Sequence, residues 1–376
     1  MSLGIAGMGW VTPLGGDIEE VWRRLLNGDE SAAGEVSGPP GESSYSAFRV
    51  PDAAMKNLAA HARLRRVSAI SRFAAAAGLS AFADARLETN RATAERTALI
   101  FAISNGGVIY TKRFYNDIIE TGAQSASPLL FPETVFNAPA SHVAALLDVP
   151  GPTYTLVGDG AVGPLALHMA DEVMQSREDI DYCLVVGAEE VDWLLCDAYH
   201  RWRLLRHEPP IETFGCAAKG TILSEGAGAI LLAREGPIRV EKTSPGGFYR
   251  KRTEASALLT RILVDLRGDA TAVIASANGT FTDAAEATAI RQSAREMIVY
   301  TAKPALGEGV GAAGLWQVIV AALALRHGTL PPVPHVAGSG VLQIAGDKTE
   351  FAGSEVVVLN CGLGQQASGV RLARAI

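Results

Sequence analysis

What most limits the fold of this chain is an alternation of short apolar runs with longer stretches of helical period, set out in two successive blocks. Short apolar runs bounded by turn residues predict strands buried on both faces. Such strands, joined through helices, require a layered α/β architecture. In the first block, Leu3–Met8 predicts a strand and Thr12-Pro13-Leu14-Gly15-Gly16 a turn. Asp17 is placed to cap a helix whose apolar face carries Ile18, Val21, Leu25 and Leu26. The stretch Ala32–Tyr45 is rich in Gly, Ser and Pro and predicts a loop. Val67–Ala85 is Ala-rich and lacks a polar stripe, which predicts a helix at the centre of the molecule. Thr97–Ile103 predicts a strand, and Tyr110–Thr121 and Ala138–Asp148 predict helices.

The next unit is pivotal. Thr153–Val157 predicts a strand, Gly158-Asp159-Gly160 a sharp turn, and Ala161–Gln175 a helix nearly free of charge over its first three turns. A strand (Asp181–Val186), a helix (Val191–Leu205) and two strands (Gly220–Ala233, Ile238–Lys242) follow. From about Pro237 the alternation restarts. Thr253–Leu266, Asp283–Glu296 and Gly309–His327 predict helices, and Ala272–Ala277, Ile298–Thr301, Glu355–Leu359 and Ala367–Leu372 predict strands. The division expected is therefore residues 1–236 and 237–376, two similar α/β halves around a shared core.

Composition narrows the classes of function. Hydrophobic residues make up 48% and charged residues 19%, against about 25% charged in ordinary soluble domains. This excludes intrinsic disorder and leaves part of the surface available to a partner. A net charge of −7 argues against a nucleic-acid or anionic-membrane partner. Cys183, Cys196, Cys216 and Cys361 lie in apolar stretches without CxxC spacing and read as reduced, buried thiols of a cytoplasmic protein. The opening run Leu3–Trp10 has no basic residues before it, and runs such as Val318–Leu325 are too short to span a bilayer. No metal-ligand constellation, Walker loop or GxGxxG between strand and helix is present, so neither a metal nor a cofactor is expected.

The phrase Thr155-Leu156-Val157-Gly158-Asp159-Gly160-Ala161-Val162-Gly163 resembles the nucleophile segment of a β-ketoacyl-acyl-carrier-protein synthase, a condensing enzyme of the thiolase superfamily. The resemblance extends along the chain through Gly7–Gly15, Asn137–Ala140, Val186–Glu189 and Ser224–Ala229. It continues through Ala277–Asp283 with Glu286, Thr301–Lys303, Gly307–Gly314, His327-Gly328 with Pro331-Pro332, and Gly362-Leu363-Gly364. It implies the thiolase fold: five layers, α-β-α-β-α, with two sheets enclosing two buried helices. The family's mechanism uses a Cys at the N-terminus of a buried helix, whose dipole favours the thiolate, and two His that polarise a thioester carbonyl. The Cys position falls on Gly160, the first His position on Asn278 and the second on Glu308. All three side chains of the triad are absent.

Neighbouring candidates follow from the same motifs. Asp159 precedes the empty elbow and is expected to cap the following helix. Lys303 matches a family lysine and is expected to pair with Glu308 or Glu225. Cys361 and Leu363 lie in the C-terminal glycine loop, with Cys361 read as a spacer and Cys216 as a small buried thiol. Arg63, Arg65, Arg66 and Arg72 form a basic run, read either as a dock for an acidic carrier protein or as a solvated helix start. None of the seven His occupies a motif position.

Three readings of function stand. The first is a non-catalytic subunit resembling a chain-length factor, which pairs with an intact ketosynthase in fatty-acid or polyketide-type elongation on acyl carrier protein. It departs from better-known chain-length factors in having Gly rather than Gln at the Cys position. The second is an enzyme with altered acyl-thioester chemistry using Glu308 and Asn278. The third is a scaffold that binds an acyl chain or a carrier without chemistry. A heterodimer with a ketosynthase, or a homodimer, is the assembly expected.

Overall fold

The computed structural model describes residues 3–58, 64, 67–338 and 342–375. Strands form where the apolar runs predict them. Leu3–Val11, Thr97–Ile103, Tyr182–Glu189 and Gly226–Ala233 are buried along nearly their whole length, as strands covered on both faces must be. The first half runs in space as Thr153–Val157, Thr97–Ile103, Tyr182–Glu189, Gly226–Ala233, Leu3–Val11. The second continues as Ile238–Thr243, Gln366–Arg374, Glu355–Cys361, Ala272–Ile274, Ile298–Tyr300, Gln343–Ile344. The two sheets expected are the two arms of one 12-stranded hydrogen-bonded path. They join where Leu3, Gly4 and Ile5 pair antiparallel with Val240, Arg239 and Ile238.

Two helices lie between the arms. Val162–Ser176 packs on Thr97–Ile103 and Tyr182–Glu189 of one arm and on Gln366–Arg374 of the other. Ala313–His327 likewise touches Gly226–Ala233 and Glu355–Cys361. Every residue from Ala313 to Leu325 is buried, which explains why this segment is apolar on all sides rather than on one stripe. The two helices meet at their first turns. A β-carbon on Gly163 would lie 2.9 Å from Leu315 N, and one on Gly314 would lie 2.7 Å from Pro164 Cδ. Glycine at both positions is what lets the helices approach this closely. The outer layers are Ala69–Asp84 with Ala138–Leu146 on the first arm, and Ala255–Leu266 with Phe281–Ser293 on the second. This is the five-layer α-β-α-β-α arrangement.

Several expectations are corrected. The Ala-rich helix Ala69–Asp84 is in an outer layer, not the centre. It lies on Leu3–Val11 and Gly226–Ala233 and is itself covered by Ala138–Leu146, so it is dry on most sides without being central. Within the expected loop Ala32–Tyr45, Ala33–Val36 and Tyr45–Phe48 pair as an antiparallel hairpin, and Tyr45–Phe48 also runs parallel to Leu223–Ser224. Cys216 is exposed, whereas Cys183, Cys196 and Cys361 are buried. Arg63, Arg65 and Arg66 of the basic run lie outside the described residues. No helix among the described residues is long and apolar enough to cross a membrane.

Candidate functional site

The elbow between Thr153–Val157 and the helix Val162–Ser176 is closed by the C-terminal loop. Asp159 is 8% exposed. Its Oδ1 accepts from Ala161 N (3.1 Å), and its Oδ2 accepts from Gly364 N (2.7 Å) and Gln366 N (3.3 Å). Ala161 is the residue at the helix cap and its own side chain makes no cap bond. Asp159 bonds the Ala161 amide at the start of the helix and also clasps the elbow to the C-terminal loop and the strand after it. Burial raises its carboxyl pKa, the backbone donors oppose the rise, and Glu308 adds to it. At Gly160 a β-carbon would have ordinary contacts, 3.5 Å from Gly362 Cα and 4.0 Å from Glu308 Oε1. Space therefore does not explain the glycine.

Glu308 is set by its backbone. Gly307 takes φ +79°, and Glu308 N then donates to Ile222 O (2.9 Å) while Glu308 O accepts from Ser224 N (3.0 Å). This stitch aims the side chain at the elbow. Glu308 Oε1 accepts from Lys303 Nζ at 2.6 Å and from Val310 N at 3.0 Å, and Oε2 accepts from Asn278 Nδ2 at 2.7 Å. The Lys303 and Glu308 side chains are 5% and 4% exposed. Asn278 is fully buried, and its Oδ1 accepts from Thr280 Oγ1 (2.7 Å) and Thr282 Oγ1 (3.0 Å). Asp283 holds the Asn278 backbone through Asn278 N (2.8 Å). The residues at the two His positions are therefore bonded to each other and to Lys303. The negative charge expected at Glu308 is matched by an ammonium 2.6 Å away, so the pair presents no net charge to a ligand. Glu225, the other partner considered for Lys303, instead binds Arg49 Nη1 (2.6 Å), which also donates to Val191 O.

Further carboxyls ring the site. Burial pushes Glu189 and Glu286 each up to about 8, Glu190 to about 7 and Asp283 to about 6. Glu189 Oε1 and Glu286 Oε2 have no hydrogen-bond partner, so ionising either would leave charge on an unsolvated oxygen. Ser276 serves the other Glu286 oxygen with both its N–H and its hydroxyl. Cys361 ends the strand Glu355–Cys361. Its Sγ lies 3.9 Å from Tyr249 Oη, and burial pushes the thiol well above its ordinary range. Cys361 thus has neither the exposure nor the electropositive surroundings of an activated cysteine. Among the described residues no group of three or more His, Cys, Asp and Glu could hold a metal ion.

On the outer side of the C-terminal loop is an open pocket of about 360 Å³, lined by Trp202, Leu204, Tyr249, Arg250, Arg252, Leu363, Gly364 and Gln365. Of these, the glycine-loop motif singled out Leu363 in the sequence. The side chains of Tyr249, Arg250 and Arg252 were missed. The signal available was the run Arg250-Lys251-Arg252 on an acidic chain, which belongs to no motif. Arg72 lies on the outer-layer helix Ala69–Asp84 within electrostatic reach of Glu190 and is not part of this pocket.

Fold and site together define a condensing-enzyme scaffold, and comparison with known proteins agrees. The models of the β-ketoacyl synthase N-terminal and C-terminal domains match residues 2–236 and 244–337. The chain belongs to the β-ketoacyl synthase family. A 3-oxoacyl-[acyl-carrier-protein] synthase 2 of Coxiella burnetii is 25% identical over 364 residues, covering 87% of this chain and 86% of that protein. Among solved structures, a β-ketoacyl synthase from Burkholderia phymatum superposes with a TM-score of 0.88 at 19% identity, each chain covered in full. The ishigamide ketosynthase/chain length factor superposes with a TM-score of 0.85 at 19% identity, covering 100% of this chain and 99% of that one. These similarities carry the thiolase fold.

Proposed function

We propose that this chain is a non-catalytic, chain-length-factor-like subunit that pairs with an intact ketosynthase during chain elongation on acyl carrier protein. The observation that carries the reading is the state of the three triad positions. Gly160 offers no nucleophile although a side chain would fit, and Asn278 and Glu308 are consumed by one another and by Lys303. A general base needs a free lone pair within reach of a substrate proton. Glu308 already accepts three bonds from protein groups, which counts against altered acyl chemistry.

Pairing is supported by an unpartnered edge. Thr153–Val157 ends its arm of the sheet, and Tyr154 and Val157 are 40% and 52% exposed. The helix Val108–Thr121 has no buried residue, and it and the segment after it add exposed Tyr115, Ile119, Leu129, Phe131, Val135 and Phe136. A bare strand edge and exposed large apolar side chains are features that proteins cover. The test is co-expression with the Cys-His-His ketosynthase encoded nearest to this chain. A stable heteromeric complex is expected, with condensing activity lost when the partner's Cys is removed. A stable homodimer that consumes an acyl thioester unaided, and ceases to do so as Glu308→Gln, would sink the proposal.

A further inference from the structure

A second pocket, of about 410 Å³, shares no lining residue with the one outside the C-terminal loop. Its volume is within the range of small-molecule sites, about 300–1,000 Å³. One wall is the helix Phe281–Ser293. Ala284, Ala287, Thr288 and Arg291 succeed one another on it at the three- and four-residue steps that share a helix face. The first three are small, so this face leaves a groove where longer side chains would have filled it. Asp283 and Arg291 stand eight residues apart, about 12 Å of helix at 1.5 Å per residue. Phe214 and Leu342 supply further apolar lining, and the exposed Cys216 is at the edge.

The two charged groups of the groove are not equally free. Asp283 is 4% exposed, and its oxygens accept from the amides of Phe214 (2.8 Å), Asn278 (2.8 Å) and Gly279 (3.0 Å). Its charge is thus spent on the backbone. Arg291 is exposed, and among the described residues it meets no carboxylate. Its guanidinium lies back along its own helix, with Nε donating to Ala287 O and Nη2 to Thr288 Oγ1, both at 3.2 Å. A fork held in this way beside an apolar groove suits a planar, two-oxygen anion. Phe214 holds φ +55°, a left-handed conformation that is costly for a bulky side chain. The Asp283 bond secures that turn, and strain of this kind collects where proteins hold ligands.

We propose that this pocket binds a small free carboxylate with an apolar body, the carboxylate on Arg291 and the body along Ala284 and Ala287 against Phe214 and Leu342. The proposal goes beyond the reading of the chain as an elongation subunit and does not rest on it. The site needs neither a partner chain nor the elbow, and no bond is made or broken in it.

The experiment titrates the purified full-length chain with phenylbutyrate, phenylbutylamine, phenylbutanol and acetate by isothermal titration calorimetry. Phenylbutyrate is expected to bind at least about tenfold more tightly than the other three. Cys216 reports the place. It is exposed while the other three thiols are buried, so a maleimide reacts there first in the native protein. With phenylbutyrate at about ten times its Kd, that labelling, followed by mass spectrometry, is expected to slow about tenfold, because bound probe covers the thiol. Arg291→Glu is expected to weaken binding at least about tenfold by opposing the carboxylate. Ala287→Trp is expected to do the same by filling the groove while leaving Arg291 in place. Circular dichroism and the melting temperature of each variant check that it is folded. No phenylbutyrate binding at millimolar concentration, unslowed Cys216 labelling, or unchanged binding by either folded variant would overturn the proposal. Amine or alcohol binding as tightly as phenylbutyrate would overturn the part concerning the carboxylate, and acetate doing so would overturn the part concerning the apolar body. Pairing with a ketosynthase is measured separately, so failure of that complex removes the subunit reading without touching this result.

Discussion

Replacing Lys303 by Met would leave the Glu308 carboxylate buried with no countercharge. Both side chains are at most 5% exposed and lie 2.6 Å apart, so water cannot take over the lost interaction. Removing one partner of a buried pair costs about 3–5 kcal/mol. Unfolding entropy of about 2.1 cal/mol/K per residue, over 376 residues, amounts to about 0.8 kcal/mol/K, so the loss corresponds to a fall in Tm of roughly 4–6 °C. Asn278 and Val310 N would still bond the carboxylate, which places the expected loss toward the lower end of that range. The double variant Lys303→Met with Glu308→Gln removes the stranded charge and keeps an acceptor for Asn278. It is expected to recover most of the loss, giving a coupling of about 2 kcal/mol or more in a double-mutant cycle. The assay is differential scanning calorimetry of the four proteins in one buffer. Additive single effects, or a Lys303→Met loss within about 0.5 kcal/mol, would refute the argument that this pair neutralises the site.

Three further outcomes follow. Gly160→Cys, whose β-carbon has no contact closer than 3.5 Å, is expected to fold with less than about 1 kcal/mol of change and to show no condensing activity, because Asn278 and Glu308 remain; a malonyl-carrier condensation assay checks this. Glu189 and Glu286 have folded pKa values near 8, above their ordinary value of 4.5, so the folded state binds more protons than the unfolded one across that interval. Stability is then highest below about pH 4.5 as far as these groups contribute, and falls by about 1.4 kcal/mol per pH unit per group up to about pH 8; Glu286→Gln should flatten one such slope in denaturant titrations at pH 6 and 8. Charging the bare edge with Tyr154→Asp and Val157→Asp is expected to abolish co-purification with a ketosynthase while leaving the subunit's own melting temperature within about 2 °C, because both side chains are already substantially exposed.

Much of the fold is legible in the sequence because strands buried on both faces leave continuous apolar runs. Thr97–Ile103 and Glu355–Cys361 are of this kind. Burial alone does not name a layer, however. Ala69–Asp84 and Ala313–His327 are both apolar on nearly every side, and it is the neighbouring helix Ala138–Leu146 that makes an outer helix look like a central one. Short strands such as Leu223–Ser224 carry too few residues to set a period and are fixed by pairing with distant chain. At the site, motif position alone brought Asn278, Glu308 and Lys303 to attention. The bond between Asn278 and Glu308 was not legible, since it joins residues 30 apart and depends on the left-handed turn at Gly307. The pocket residues Arg250 and Arg252 carried a charge signal, but only the folded chain shows that Trp202 and Leu363 stand beside them.

The clasp at Asp159 bears on how this protein is made. The elbow is synthesised well before two of the amides that hold it, those of Gly364 and Gln366, which belong to the closing loop and the strand Gln366–Arg374. Chains generally fold from the N-terminus while still being synthesised, and most of the first arm can do so. The elbow cannot be locked until Gly364 and Gln366, 205 and 207 residues further along the chain than Asp159, have been synthesised. Trimming the last strand should therefore leave the N-terminal half of the sheet formed, with the loop between Thr153–Val157 and Val162–Ser176 loose and open to proteolysis.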